Sequence, residues 1–227
     1  MNLHLDWCSY EAAKYACEHW HYSQTVPATP LRIGVWEHNK FIGCVLFSHG
    51  ANKSIGSPYG LNQQECCELV RVALTTHANP VTKILSIALK LLQKHCPGIR
   101  LVVSYADKDQ GHDGGIYKGG NWVYVGTVET GRCFIIKGKK THPKSVHSKG
   151  IRQTINDVRK YLDPNATLFM TSGKHKYLMP LDDDMREQIE YLRKPYPKRV
   201  KQAIGSDQEP AEGQHLPTRS ISGDETE

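Results

Sequence analysis

The sequence predicts a mixed α/β domain in which helices flank a mixed sheet. Three observations carry that prediction. "ECCELVRVAL", a helical stretch and "IRLVVSYAD" follow one another between Glu65 and Asp107 as strand, helix and strand. Two β-rich segments flank "EHNK" further upstream, and strand-like and helix-like segments continue to alternate downstream. Such alternation packs helices against a sheet, and a strand–helix–strand unit favours a parallel, right-handed crossover.

Taken in order, Tyr10 to Trp20 ("YEAAKYACEHW") has helix formers and no breaker, with Ser9 as N-cap. "HYSQTVPATP" ends that helix, because its two prolines impose extended or turned backbone. Val35-Trp36 and Phe41 to Phe47 read as two strands, with "EHNK" as their hairpin connection. "ANKSIGSPYGLNQQ" is a loop. After the strand "ECCELVRVAL", Ile84, Leu85, Ile87, Ala88, Leu91 and Leu92 follow helical spacing, and Cys96-Pro97-Gly98 stops the helix. "IRLVVSYAD" is continuously apolar, as expected of a strand covered on both faces.

"GHDGGIYKGGNWVYVG" then places five glycines around Tyr117. It has room for at most a short helix before the strand "NWVYVGTVE". Glycine permits close backbone approach, so this stretch suggests a splayed wedge beside the preceding strand. Strands resume around "GRCFIIKGKK". "SKGIRQTINDVRKYL" reads as a helix, "HKYLMPL" as a last strand and "DDDMREQIEYLRKPYPKR" as a segment holding a short helix. The ordered domain is thus expected over residues 1–200. Residues 201–227, poor in large apolar side chains, read as a disordered acidic tail.

Net charge is +6, but Ala203 to Glu227 carries −5, which leaves about +11 on the body. Such a body suits an anionic partner, nucleic acid first. There is no 18-residue apolar run and no secretory signal, so no membrane partner is expected and the location reads as cytoplasmic. Seven cysteines without a CxxC pattern read as reduced, buried thiols.

Several residues stand out for chemistry. Tyr117, inside a glycine-rich turn, is the leading catalytic candidate, with a core role as the plainer alternative. Ser104 and Asp107 end the buried strand, the edge where open α/β sheets hold ligands. Asp107 could instead cap the next turn. His19 and His21 in "EHWHYS" are candidate metal ligands, iron among the metals, or else polar groups at a helix end. His21 and Tyr22 are also catalytic candidates, and Ser23 joins Arg71 as a candidate for holding a cofactor. Arg71 could grip a phosphate or carboxylate bidentately, or merely snorkel to solvent. Lys137, Lys139, Lys140, Lys144 and Lys149, in "KGKKTHPKSVHSKG", form a candidate sugar-phosphate contact or a solvated face.

The element order and "IYKGGNWVYVG" resemble the GCN5-related N-acetyltransferases. In that family the crossover after the fourth strand binds a pyrophosphate, and a tyrosine in the next short helix protonates the leaving thiolate. The usual "RxxGxG" turn is absent, since the matching place reads "RVALTTHANPVTK". The donor is therefore open between an acyl-CoA and an aminoacyl-type compound.

Together, "CEHWHYS", "ELVRVALT", "VVSYAD", "GHDGGIYKGGNWVYVG", "HPKSVHSKG" and "KHKYLMPL…PYPKR" resemble the Mom family of phage DNA-modification proteins, over residues 8 to 200. The resemblance implies an acetyltransferase-like fold and action in the host cytoplasm. It also implies double-stranded DNA as partner and conversion of adenine to its carbamoylmethyl derivative at the exocyclic amine, which blocks restriction. A monomer and a dimer both remain open. Two rival expectations are an ordinary coenzyme A-dependent N-acetyltransferase and a non-catalytic DNA-binding protein.

Overall fold

The structure, a computed structural model, describes residues 2–29, 31–49, 54–128 and 131–198; the expected tail at 201–227 lies outside them. The elements in chain order are β1 (Leu3–Trp7), α1 (Tyr10–Trp20), β2 (Leu31–Glu37), β3 (Lys40–Ser48) and β4 (Cys66–Leu74). α2 (Val81–His95), β5 (Leu101–Asp107), α3 (Gly115–Gly119) and β6 (Val123–Val128) follow. The rest are β7 (Arg132–Ile136), β8 (Lys139–Thr141), α4 (Pro143–His147), α5 (Ile155–Tyr161), β9 (Thr167–Met170), β10 (Lys174–Pro180) and α6 (Asp183–Glu190). The α/β expectation holds.

Seven strands form one sheet in the order β1-β2-β3-β4-β5-β10-β6. Among the described residues its one parallel pair is β4 with β5, joined through α2. β10, late in the chain, lies antiparallel between β5 and β6. One face is covered by α2, whose Ile84, Leu85, Ala88 and Leu92 pack with Val45, Phe47, Val102 and Tyr117. The opposite face is covered by α1 and α6. Ala13, Ala16 and Cys17 of α1 meet Cys44, Leu46 and Ala73, while Met185 and Ile189 of α6 meet Leu101, Val103 and Leu178. Because β3 to β5 bury both faces, their sequences run apolar without alternation.

Local chemistry sets the boundaries. Ser9 Oγ accepts the Ala12 N–H and starts α1. The β2–β3 connection is tighter than the four residues "EHNK". Strand pairing extends to Glu37 and Lys40, leaving only His38 and Asn39, both at positive φ, as a two-residue turn. The helix expected over "SKGIRQTINDVRKYL" is only α5. Gly150 at φ +74° interrupts the backbone, and Thr154 Oγ caps the helix by accepting the Asp157 N–H.

β7, β8 and β9 form a separate three-stranded sheet in the order β8-β7-β9. Its core is small: Phe134, Val146, Val158 and Ala166 are buried between the strands and α4 and α5. Lys140 Nζ reaches Asp109 at 2.5 Å, and Asp109 Oδ1 accepts the Ser172 N–H at 2.9 Å. These contacts tie the small sheet to the segment just after β5.

Candidate active site where two strands part

β4 and β5 are paired from Cys66–Leu101 to Leu69–Ser104, and the parallel ladder stops there. The Ser104 hydroxyl donates to Leu69 O at 3.0 Å across this last rung. Beyond it the strands part, and a cleft of about 140 Å³ opens between Arg71 on one side and Asp107 on the other. His21 and Tyr22, just past α1, close one wall. His112, Tyr117 and Lys174 close the other. A parallel sheet that parts leaves backbone and side-chain polar groups facing a gap, which suits it to a ligand.

Tyr117 lies at the inner wall, buried, with its ring stacked on Tyr177 (centroids 4.7 Å apart) and edge-on to Trp122. Its hydroxyl is 2.8 Å from Ser104 Oγ. Since Ser104 gives its proton to Leu69 O, Tyr117 is the donor in that contact. Burial pushes the Tyr117 phenol up to about 12, so it stays protonated at neutral pH. It is a core residue by packing and a cleft residue by position.

The glycines are explained by packing and turning, and the wedge has another origin. Gly114 is at φ +79°, and a Cβ there would lie 2.3 Å from the Tyr177 hydroxyl. That hydroxyl donates to Asp113 O at 2.6 Å. Gly111, at φ +68°, ends the turn after β5. The cleft opens where the β4–β5 ladder ends, and His112, Ile116 and Tyr117 of the glycine-rich segment line it.

The His21 ring is held by Ser23, whose N–H donates to Nδ1 at 3.1 Å and whose Oγ is 2.8 Å away. Nδ1 is then an acceptor, and Nε2–H is the proton the neutral ring can offer. Burial, reinforced by Arg71 and His112, lowers the His21 pKa to about 4. Ser23 itself stands one layer behind the cleft. Tyr22 is about half exposed, with its ring tilted on His21 and edge-on to His112. Burial and the nearby Asp107 raise its pKa. Asp107 does cap the next turn, accepting the Asp109 N–H at 3.0 Å, and it also faces the cleft. Arg71 Nη1 donates to Val70 O at 2.7 Å, while its buried Nε meets no hydrogen-bond partner among the described residues.

His19 does not join this group. Its ring stacks on Tyr15 at 4.1 Å and its Nδ1 contacts Tyr15 O, back along α1. His21 lines the cleft and His19 does not, so the two rings are not brought together there. Among the described residues no cluster of three or more His, Cys, Asp or Glu could hold a metal ion.

The crossover from β4 to α2 is also occupied. Glu37 accepts the Ala78 N–H and Asn79 N–H, each at 2.8 Å, and the Asn79 side-chain amide at 2.7 Å. These hydrogen bonds hold its carboxyl down at about 2, so it is ionised at neutral pH. A carboxylate of the chain thus sits on the backbone donors of the turn just before α2 and places a negative charge beside the start of that helix.

The basic residues are distributed unevenly. Lys137 lies in the β7–β8 turn at φ 49°, Lys139 is exposed on β8, and Lys144 and Lys149 are exposed on and after α4. Lys140 differs, because it is paired with Asp109 and lies 4.4 Å from the Phe169 ring centroid. It pins the small sheet instead of standing free for a phosphate. Lys174, Tyr105 and Ile116 line the cleft without having been singled out in the sequence; His112 had at least a glycine-rich setting to mark it. Lys174 enters only because β10 is inserted beside β5, a long-range pairing with no local signature.

A larger recess of about 240 Å³ lies between α2 and β10, lined by Leu85, Leu89, Trp122 and Met179; it contains none of the candidate residues. No helix among the described residues is long and apolar enough to cross a membrane. A search of curated proteins found no match. The model of the Mom protein family matches residues 2–198, so the chain belongs to the Mom family of phage DNA-modification proteins.

Proposed function

We propose that this protein converts adenine in double-stranded DNA to its carbamoylmethyl derivative at the exocyclic amine, protecting phage DNA from restriction. The observation that carries the reading is the convergence of Arg71, His21, Tyr22, Asp107 and Tyr117 on the gap between β4 and β5. An acetyltransferase-like fold accords with that gap and with the tyrosine that follows the second of the two strands.

The target amine lies inside the base stack, so the adenine is flipped out and received in the cleft. Its lone pair is delocalised into the ring, so rate must come from an activated donor and from placement. Arg71 has a free guanidinium Nε in the cleft and is the group suited to a carboxylate or acyl oxygen of the donor. His21, neutral with its proton on Nε2, offers a hydrogen bond without adding positive charge. Asp107 stands opposite as the acceptor for a proton lost from the amine. Tyr117 is a neutral phenol at working pH, and the proton it gives to Ser104 Oγ in this structure is the one available to the leaving group when the donor binds.

For the donor, the Glu37 carboxylate speaks against a pyrophosphate at the β4–α2 crossover. Its negative charge beside the start of α2 repels one. An aminoacyl ester fits better than an acyl-CoA. Attack of the amine at its acyl carbon expels the ester oxygen and gives a glycyl amide, an isomer of the carbamoylmethyl product. That product is reached by moving the amine's new bond from the carbonyl carbon to the methylene carbon. Nucleoside mass spectrometry of DNA from expressing cells tests the function. An adenine nucleoside heavier by a carbamoylmethyl group supports it, and unmodified nucleosides alongside soluble, folded protein refute it.

A further inference from the structure

From the placement of Leu168 and Met170 we infer that they form an apolar wedge that enters the DNA base stack beside the target adenine and holds it open. This rests on the adenine-modification reading above and adds to it the residues that act on the duplex.

Leu168 is 50% and Met170 64% exposed, and they are the two exposed large aliphatic side chains among the described residues, the other exposed large hydrophobics being aromatic. Both lie on β9, an edge strand of the small sheet, two residues apart. Side chains at that spacing share a face and stand about 7 Å apart. Phe169, on the other face, is partly buried under Lys140. The exposed pair contributes to no part of the core. An uncovered apolar edge invites aggregation, and proteins keep one where a partner uses it.

Charge identifies the partner. From Arg132 to Lys176 the chain holds eleven lysines and arginines against two acids. Arg132 lies directly across the ladder from Met170 and is exposed. Apolar side chains framed by cations match a duplex, whose phosphates flank a stack of flat apolar bases. A purely acidic protein partner would use the cations and leave Leu168 and Met170 uncovered.

Position links the wedge to the cleft. Met170 is four residues before Lys174, which lines the cleft, so the two Cα atoms are at most about 14 Å apart. The Lys140–Asp109 pair and the Ser172 N–H on Asp109 hold β9 and its following loop against the rim. A nucleotide turned out of the duplex next to Met170 is within reach of the gap between β4 and β5.

The test compares wild type with the double variant Leu168→Ala/Met170→Ala, and with Met170→Gln as a single milder change. The DNA is a set of duplexes carrying 2-aminopurine in place of adenine, in every flanking-base context, each with and without the opposing base. The expected result is a several-fold fluorescence rise with wild type on paired duplexes. The double variant should lose that rise, and regain it where the opposing base is missing. Its affinity should weaken about tenfold with no change in salt dependence, because no charge was removed. Normal fluorescence by the double variant on paired duplexes, or equal loss on both kinds, overturns the wedge. A wild type that binds DNA, unstacks nothing and still yields modified adenine in cells sinks the wedge while leaving the modification reading intact.

Discussion

The two sheets are built for different tasks. The seven-stranded sheet buries both faces of its central strands, and its gap is lined by aromatic and titratable side chains, among them His21 and Tyr117, whose pKa values burial displaces. The three-stranded sheet rests on a cluster of four buried residues, carries Lys137, Lys139, Lys144 and Lys149 on itself and on and just after α4, and exposes Leu168 and Met170. Rigid, desolvated positions suit chemistry, since a reacting group must be held in place and its protonation fixed. A small, solvated, basic platform suits a polyanion, where contacts are many and individually weak. Asp109, just beyond the end of β5, joins the two sheets, and the proposed function sets DNA contact on one beside chemistry on the other.

Several experiments probe that contrast, beginning with the largest effect. Tyr117→Phe keeps the ring between Tyr177 and Trp122 and removes one hydroxyl. Modified adenine per folded protein should fall roughly 10²- to 10⁴-fold, the range for a positioned acid, while stability changes by about 1 kcal/mol. Modification near the wild-type level would make Tyr117 a packing residue.

Phe134→Ala attacks the other sheet. Removing a fully buried phenylalanine costs about 3–5 kcal/mol, and a core of four residues cannot absorb that loss. Hydrogen exchange should show β7, β8 and β9 opening while β3, β4 and β5 stay protected. Exchange rising equally in both sheets would mean that they unfold as one unit.

Replacing Lys137, Lys139, Lys144 and Lys149 by Ala should flatten the slope of log affinity against log salt, by up to about 0.9 for each phosphate no longer neutralised. Lys140 is left out because its removal would release the small sheet from Asp109. An unchanged slope would reduce these lysines to a solvated face.

The smallest effect is a titration. His21 should remain neutral until the pH approaches about 4, visible as a late shift of its ring signals by NMR. The sign for stability follows. An unfolded histidine protonates near 6.5, so the unfolded state binds more protons between that pH and 4. Stability therefore falls as the pH drops through this window, and is unaffected above it. His21→Gln should remove that part of the acid sensitivity. A His21 titrating near 6.5 would show that the ring is solvated and not held in the cleft.

Local patterns made much of this molecule legible. Ile84, Leu85, Ala88 and Leu92 announced α2 by their spacing, and the unbroken "IRLVVSYAD" announced a strand covered on both sides. β1 escaped notice because it buries only Leu5, and β9 because its side chains serve the surface. Arg71, His21, Tyr22, Ser104, Asp107 and Tyr117 were singled out by residue type and position, and the fold gathers them at one end of β4 and β5. What no sequence window holds is pairing at a distance. Lys174 reaches the cleft only through the β5–β10 ladder, Lys140 is engaged by Asp109, and Gly114 is required by the distant Tyr177.

The central claim is that chemistry belongs to one sheet and duplex binding to the other. Salt-titrated DNA binding by Tyr117→Phe, with modified adenine counted in the same cells, tests it most directly. The account predicts a binding curve and salt slope that superimpose on wild type while modification collapses. A flattened slope in Tyr117→Phe, or modification that persists, would contradict it.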